Sequence, residues 1–151
     1  MQTVNEEPYF LYIEDDTEDV ELLKYCLSDT RFNLNIVHMQ NGEAACTYLE
    51  RIKDITRLPE IIFLDINMSK LNGKETYICL KAIKDISKIP IVVLSTSNFP
   101  GDIHYFKNYN VPYVNKCGNL QRYREDLSSV LRGIWAMELD FTDSAPRKTD
   151  A

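Results

Sequence analysis

Residues 61–73 read IIFLDINMSKLNG. The apolar run Ile61 to Leu64 is too short for a helix and has no polar alternation. Such a run is typical of a central strand covered on both faces. It stops at Asp65, and a polar loop follows to Gly73. Other stretches repeat this shape. Tyr9 to Ile13 (YFLYI) runs into Glu14-Asp15-Asp16, Ile89 to Leu94 (IPIVVL) into Ser95-Thr96, and Val111 to Asn115 (VPYVN) into Lys116. Leu34 to Met39 (LNIVHM) has a more alternating character and ends near Gln40, without a charge.

Helical patterns separate these runs. Glu18 to Leu27 carries Val20, Leu23 and Leu27 on one face, and Glu43 to Ile52 carries Ala45, Leu49 and Ile52. Glu75 to Ile83 and a short stretch from Asp102 to Tyr109 follow. The longest pattern, from Leu120 to about Asp140, predicts an inward stripe of Leu120, Tyr123, Leu127, Val130, Leu131, Ile134 and Met137. Pro90 fits only the start of its strand, and Pro112 suits an edge strand. Strict strand–helix alternation predicts an α/β fold, a doubly wound five-stranded parallel sheet with five helices, and the arrangement expected for it is the flavodoxin-like order 2-1-3-4-5. The expected division is an N-terminal tail at 1–7, a domain at 8–141, and a polar, disordered tail at 142–151.

Length and composition agree with one globular domain: 151 residues, 44% hydrophobic and 26% charged. A net charge of -6 disfavours a nucleic-acid surface. No stretch approaches the roughly 18 apolar residues of a membrane span, and MQTVNEEPY lacks the apolar region of a signal peptide. The expected location is the cytoplasm. Cys26, Cys46, Cys79 and Cys117 show no metal-binding spacing, and the first three read as small core or boundary residues. His38 and His104 read as structural or surface groups.

In open parallel sheets, ligands bind beyond the carboxyl ends of the strands. The predicted strand order brings Glu14, Asp15, Asp65, Ser95 and Lys116 to one crevice. Carboxylates gathered there repel each other unless a cation sits among them, and magnesium favours such oxygen donors. Asp65 could serve as a nucleophile toward phosphorus, with Lys116 offsetting charge on phosphoryl oxygens and Ser95 bonding to one of them. Each piece also has an ordinary explanation. Asp16 or Thr17 can cap the first helix, with Glu18 and Asp19 at its positive end. Asp65 alone could be a loop cap, and Lys116 alone a solvated lysine.

Over about Tyr9 to Leu139 the set resembles the receiver domain of bacterial two-component response regulators. The resemblance implies that Glu14 and Asp15 are the acidic pair, with Asp15 the direct ligand of Mg2+ (or Mn2+) and Glu14 acting mostly through water. Asp65 matches the phosphoacceptor, and Asn67 the position whose backbone carbonyl completes the metal site. Gly73 matches the glycine that ends the following loop. Ser95 matches the Ser/Thr that shifts toward the phosphoryl group, Thr96 the small residue beside it, Tyr113 the aromatic switch position, and Lys116 the lysine. Two positions depart from the family pattern, with Ser69 and Cys117 where proline is usual. IEDDTEDVELL, LDINMSKLNGKE and STS also resemble the stand-alone subgroup associated with phytochrome-type and other hybrid histidine kinases.

The resemblance implies a phosphoacceptor signalling switch. A sensor histidine kinase or phosphotransfer protein would donate a phosphoryl group to Asp65 in a Mg-dependent step, which the chain itself catalyses. With only a polar tail after the last helix, output is expected through protein contact: with a downstream protein, in a phosphorelay, or with a second copy. The face for this would be the fourth helix, fifth strand and fifth helix; Phe99, Tyr105, Phe106, Tyr109 and Tyr113 lie near it, and most of them read as core or boundary residues. Two alternatives stay open: a phosphorylation-independent adaptor with the same fold, and a small aspartyl-nucleophile phosphohydrolase. The second needs an acid where Asn67 stands.

Overall fold

A computed structural model describes residues 7–68, 71–116 and 118–141, the last five as backbone. Ser69, Cys117, the Met137 side chain and both expected tails (residue 7 apart) lie outside the described residues. The elements alternate as β1 (Tyr9–Ile13), α1 (Thr17–Leu27), β2 (Asn35–Met39), α2 (Gly42–Glu50), β3 (Ile61–Leu64), α3 (Gly73–Ala82), β4 (Ile91–Ser95), α4 (Pro100–Asn108), β5 (Tyr113–Asn115) and α5 (Leu120–Phe141). Short 3-10 turns at 55–57 and 86–88 lead into β3 and β4. The sheet is parallel throughout, in the order β2-β1-β3-β4-β5. This is the expected flavodoxin-like arrangement. Among the described residues, no helix is long and apolar enough to cross a membrane.

Strand alternation divides the core in two. Leu11, Ile13, Ile62, Leu64 and Val93 face α2, α3 and α4, where Leu49, Leu80 and Phe106 meet them. Phe10, Tyr12, Phe63, Val92 and Leu94 face α1 and α5, against Leu23, Tyr123, Leu127 and Leu131. Because β3 is covered on both sides, all of Ile61 to Leu64 are buried. Trp135 packs edge-on to Phe10 and tilted on Phe32, so it is a packing residue. The prolines sit where their missing N–H costs nothing. Pro90 precedes β4 and its carbonyl accepts from Ile62, while Pro112 precedes edge strand β5 and accepts from Val93.

The predicted α5 stripe needs one correction. Tyr123, Leu127 and Leu131 are buried and Val130 and Ile134 pack against them, but Leu120 is 40% exposed. Leu120 opens the helix, one turn ahead of the first residue that reaches the sheet. Helical period fixes which side a residue faces, but not how far along the helix the sheet extends.

Helix starts are set by side-chain caps. Asp16 Oδ1 accepts from Glu18 N at 2.9 Å, Asn41 Oδ1 from Ala44 N at 2.8 Å, and Asn72 Oδ1 from Glu75 N at 3.0 Å. Pro100 stands in the first turn of α4.

Candidate functional site

Ladder hydrogen bonds carry the sheet register one residue past the strands. Glu14 N donates to Met39 O, Asp65 N to Ile13 O, and Lys116 N to Ser95 O, at 2.9 to 3.0 Å. The strand-end residues are therefore held by the same backbone lattice that builds the core. Carboxylate oxygens of Glu14, Asp15 and Asp65 all lie within 4.8 Å of one another. Glu14 and Asp65 are buried and Asp15 is exposed. Three hard oxygen donors this close, one open to solvent, fit a divalent cation that keeps part of its water shell.

The acidic run divides by job. Asp16 caps α1, while Glu14 turns inward. Glu14 Oε1 accepts from Asp16 N at 3.1 Å, and Oε2 accepts from Tyr12 Oη at 3.2 Å and from Lys116 Nζ at 2.8 Å. Burial pushes the Glu14 carboxyl up to about 7; Lys116 pulls it down and the nearby Asp65 charge raises it further. The Lys116 side chain is 3% exposed, and desolvation works against its charge. Bonds to Asp19 and Glu14 outweigh that and raise its pKa. The Tyr12 hydroxyl is driven well above its usual range by burial, with Tyr123 and the Glu14 charge adding to it.

Asp65 Oδ1 accepts from Asn67 N at 3.3 Å, which curls the loop around the carboxylate. Asn67 is exposed beside it. Gly73 N donates to Ile66 O at 3.1 Å, and a Cβ on Gly73 would lie 2.3 Å from Ile66 Cα. Only glycine lets α3 begin that close to the residue following Asp65. On the other side of the site, Ser95 is fully buried, and its Oγ accepts from Ser97 N at 3.0 Å. Thr96 is exposed. Tyr113 is half-buried, with its ring 6.5 Å from that of Phe106, and Oη donates to Ser97 O at 2.8 Å.

Two neighbours of the site escaped the sequence analysis. His38 Nε2 meets the Glu14 carbonyl oxygen at 2.5 Å, because β2 pairs with β1 and sets His38 beside Tyr12. Asp19, expected only to favour the helix end, has Oδ2 2.8 Å from Lys116 Nζ. Contacts separated by 97 residues have no local sequence signal. Among the described residues, Cys26 and Cys46 are free and buried, and Cys79 is free and half-buried.

A family model for the response regulator receiver domain matches residues 10–127, most of the chain. The chain belongs to the response regulator receiver domain family. This receiver domain is 29% identical over 134 residues to the response regulator Rcp1 of Synechocystis sp., covering 86% of this chain and 88% of that protein. Among solved structures it is similar to the phosphorylated cyanobacterial phytochrome response regulator RcpA. There the TM-score is 0.67 at 25% identity, over 95% of this chain and 99% of that one. The bacteriophytochrome response regulator RtBRR is also similar, with a TM-score of 0.65 at 26% identity over 81% of this chain and 76% of that one. Receiver domains take a phosphoryl group from histidine kinases or phosphotransfer proteins and signal through protein contact. In this receiver the strand ends bring Glu14, Asp15 and Asp65 together with Lys116 and Ser95 around them.

Proposed function

We propose that Asp65 is the phosphoacceptor of this receiver domain. One observation carries the assignment: Asp65 is a buried carboxylate whose oxygen lies within 4.8 Å of oxygens on Glu14 and Asp15. The carboxylates and the Asn67 carbonyl would hold Mg2+ or Mn2+, which when bound offsets charge on phosphoryl oxygens. Asp15, being exposed, suits direct ligation. Glu14, with both oxygens already engaged by protein donors, suits contact through water.

An Asp65 oxygen attacks phosphorus of a phosphohistidine. The P–N bond breaks, its electron pair stays on the imidazole, and an acyl phosphate forms. Lys116 offers its ammonium to a phosphoryl oxygen. Ser95 gives up its contact with Ser97 N and turns its hydroxyl to another. Water later attacks phosphorus and Asp65 leaves as the carboxylate. Thr96, next in the chain after Ser95, is exposed.

Release of Ser97 from Ser95 frees the loop that also holds Tyr113, and the populations of two states shift. Output then runs through the α4-β5-α5 face. Exposed Phe99 precedes α4, and the face carries a shallow cleft of about 350 Å³ lined by Ile103, Lys107, Asn110, Val111, Pro112 and Tyr113. A downstream protein or a second copy is the partner there. Similarity to proteins described as phytochrome and bacteriophytochrome response regulators supports a phytochrome-type histidine kinase as donor.

The test is incubation with Mg2+ and acetyl phosphate, followed by intact mass. One phosphoryl adduct, lost in Asp65→Asn, is expected. No adduct would favour a phosphorylation-independent adaptor, and continuous turnover of unrelated phosphoesters would favour a phosphohydrolase.

A further inference from the structure

Lys116 is held by an acid that phosphotransfer does not call for. Its three N–H donors are spent on Glu14 Oε2 at 2.8 Å, Asp19 Oδ2 at 2.8 Å and Tyr12 Oη at 3.4 Å. Among the described residues, both of its ion pairs are to acids other than Asp65. Asp19 lies in the first turn of α1, but that end is already capped by Asp16 and carries Glu18 as well. The inward turn of the Asp19 side chain is therefore not explained by the needs of the helix. Behind it the wall is aromatic, with buried Tyr12 and Tyr123. Among the described residues, the buried Tyr123 Oη has no hydrogen-bond partner, so it does not compete for the Asp19 carboxylate.

We propose that Asp19 is a positioning residue that parks the Lys116 ammonium on the Glu14 side of the site and competes with the phosphoryl group for it. This rests on Asp65 being the phosphoacceptor. To reach an oxygen on phosphorylated Asp65, the ammonium must surrender at least one donor. The Tyr12 bond is long and neutral and is the weakest. The Glu14 carboxylate is 1% exposed, so water cannot readily replace the lysine as its counter-charge. The Asp19 side chain is 28% exposed, so water can replace the lysine there. Asp19 is the carboxylate the ammonium can leave, and its charge sets how hard that departure is.

The test compares wild type, Asp19→Asn and Asp19→Glu at saturating Mg2+, with beryllofluoride as the phosphoryl mimic and fluorine NMR as the readout. Asp19→Asn keeps the size and removes the charge, so beryllofluoride should bind about tenfold more tightly, which corresponds to ~1.4 kcal/mol. Asp19→Glu restores a carboxylate and should return the affinity toward wild type. Melting of the metal-free proteins, run in parallel, reports any loss of fold; Asp19→Ser replaces Asp19→Asn if that variant unfolds. Unchanged or weaker binding in a folded Asp19→Asn protein overturns the positioning role alone. No uptake by the wild type overturns the assignment of Asp65, and this proposal with it.

Discussion

Tyr113 Oη donates to the carbonyl oxygen of Ser97 at 2.8 Å, while the N–H of the same Ser97 donates to Ser95 Oγ at 3.0 Å. The two side chains expected to move on phosphorylation are thus tied to one residue of the β4–α4 loop. Ser97 Oγ passes the restraint on, accepting from Phe99 N at 3.2 Å and pairing with Asp102 Oδ2 at 3.2 Å. Tyr113→Phe removes one hydroxyl from this set and leaves the ring in place. The expected stability loss is about 0.5–1 kcal/mol, the low end for a half-exposed neutral bond. The Ser97 and Phe99 amides should exchange hydrogen faster than in wild type, while β1 and β3 amides do not change. Unaltered exchange in the loop would show that Tyr113 does not restrain it.

Gly73 makes a different demand. A Cβ there would meet Ile66 Cα at 2.3 Å and the Ile66 side chain at 2.4 Å, and backbone cannot yield as a flexible side-chain end can. Gly73→Ala must push α3 away from the residue that follows Asp65. Overpacking of this kind costs about 1–3 kcal/mol. The displacement acts on the loop that holds Asp65, so the affinity for Mg2+ should fall as well. Thermal melting and a magnesium titration check the two effects separately. Lost stability with unchanged metal affinity would mean that the loop is buffered from α3.

The pH dependence follows from Glu14. Its carboxyl is raised by burial from 4.5 to about 7 in the folded chain, so the folded state binds more protons than the unfolded state between those values. Stability of the metal-free protein should therefore be lost as pH rises through that window, and the Glu14 contribution should be flat above it. A cation that binds the ionised site stabilises the folded state by mass action, so the gain from Mg2+ should be larger at about pH 8 than at about pH 5. Melts of wild type and Glu14→Gln at both values, with and without Mg2+, isolate this residue from the other acids. If both proteins lose the same stability between the two pH values, Lys116 keeps Glu14 ionised throughout.

Much of this site was legible because a parallel sheet reports its own active end. Where Ile61–Leu64 stops at Asp65 and Tyr9–Ile13 stops at Glu14, a change from apolar to polar marks the strand terminus. Alternation then forces those termini to one edge. With the flavodoxin-like order 2-1-3-4-5 supposed as well, the acidic trio, Ser95 and Lys116 could be placed together. The logic has no access to orientation within the edge. Glu14 faces Lys116 and Tyr12, and Asp19 turns to the same lysine, through contacts that span 102 and 97 residues of chain. Nor does it show close approach: the need for glycine at 73 comes from Ile66, and nothing in LNGKE states it. His38 reads as a structural or surface group, and its contact with the Glu14 carbonyl depends on the β1–β2 register, which residue types alone leave open.

The same limit makes a contrast on α5. Leu120, Leu127 and Leu131 share the helical stripe, and periodicity treats them alike. Leu127 and Leu131 are fully buried against Phe10, Val92 and neighbours, whereas Leu120 is 40% exposed. Leu127→Ala removes buried methyl groups and leaves a cavity that Tyr123 and Val114 can only partly fill. That should cost about 2–5 kcal/mol, or on the order of 5–15 °C in Tm for a domain of this size. Leu120→Ala gives up little burial and gains helix propensity, so its stability should stay within about 0.5 kcal/mol of wild type. Urea titration of the two variants tests the packing directly. A large loss at Leu120 would mean that the first turn of α5 is covered by a surface it does not contact here, such as a partner on the α4-β5-α5 face. Repeating the titration across protein concentrations would then separate self-association from a fold that simply packs more tightly.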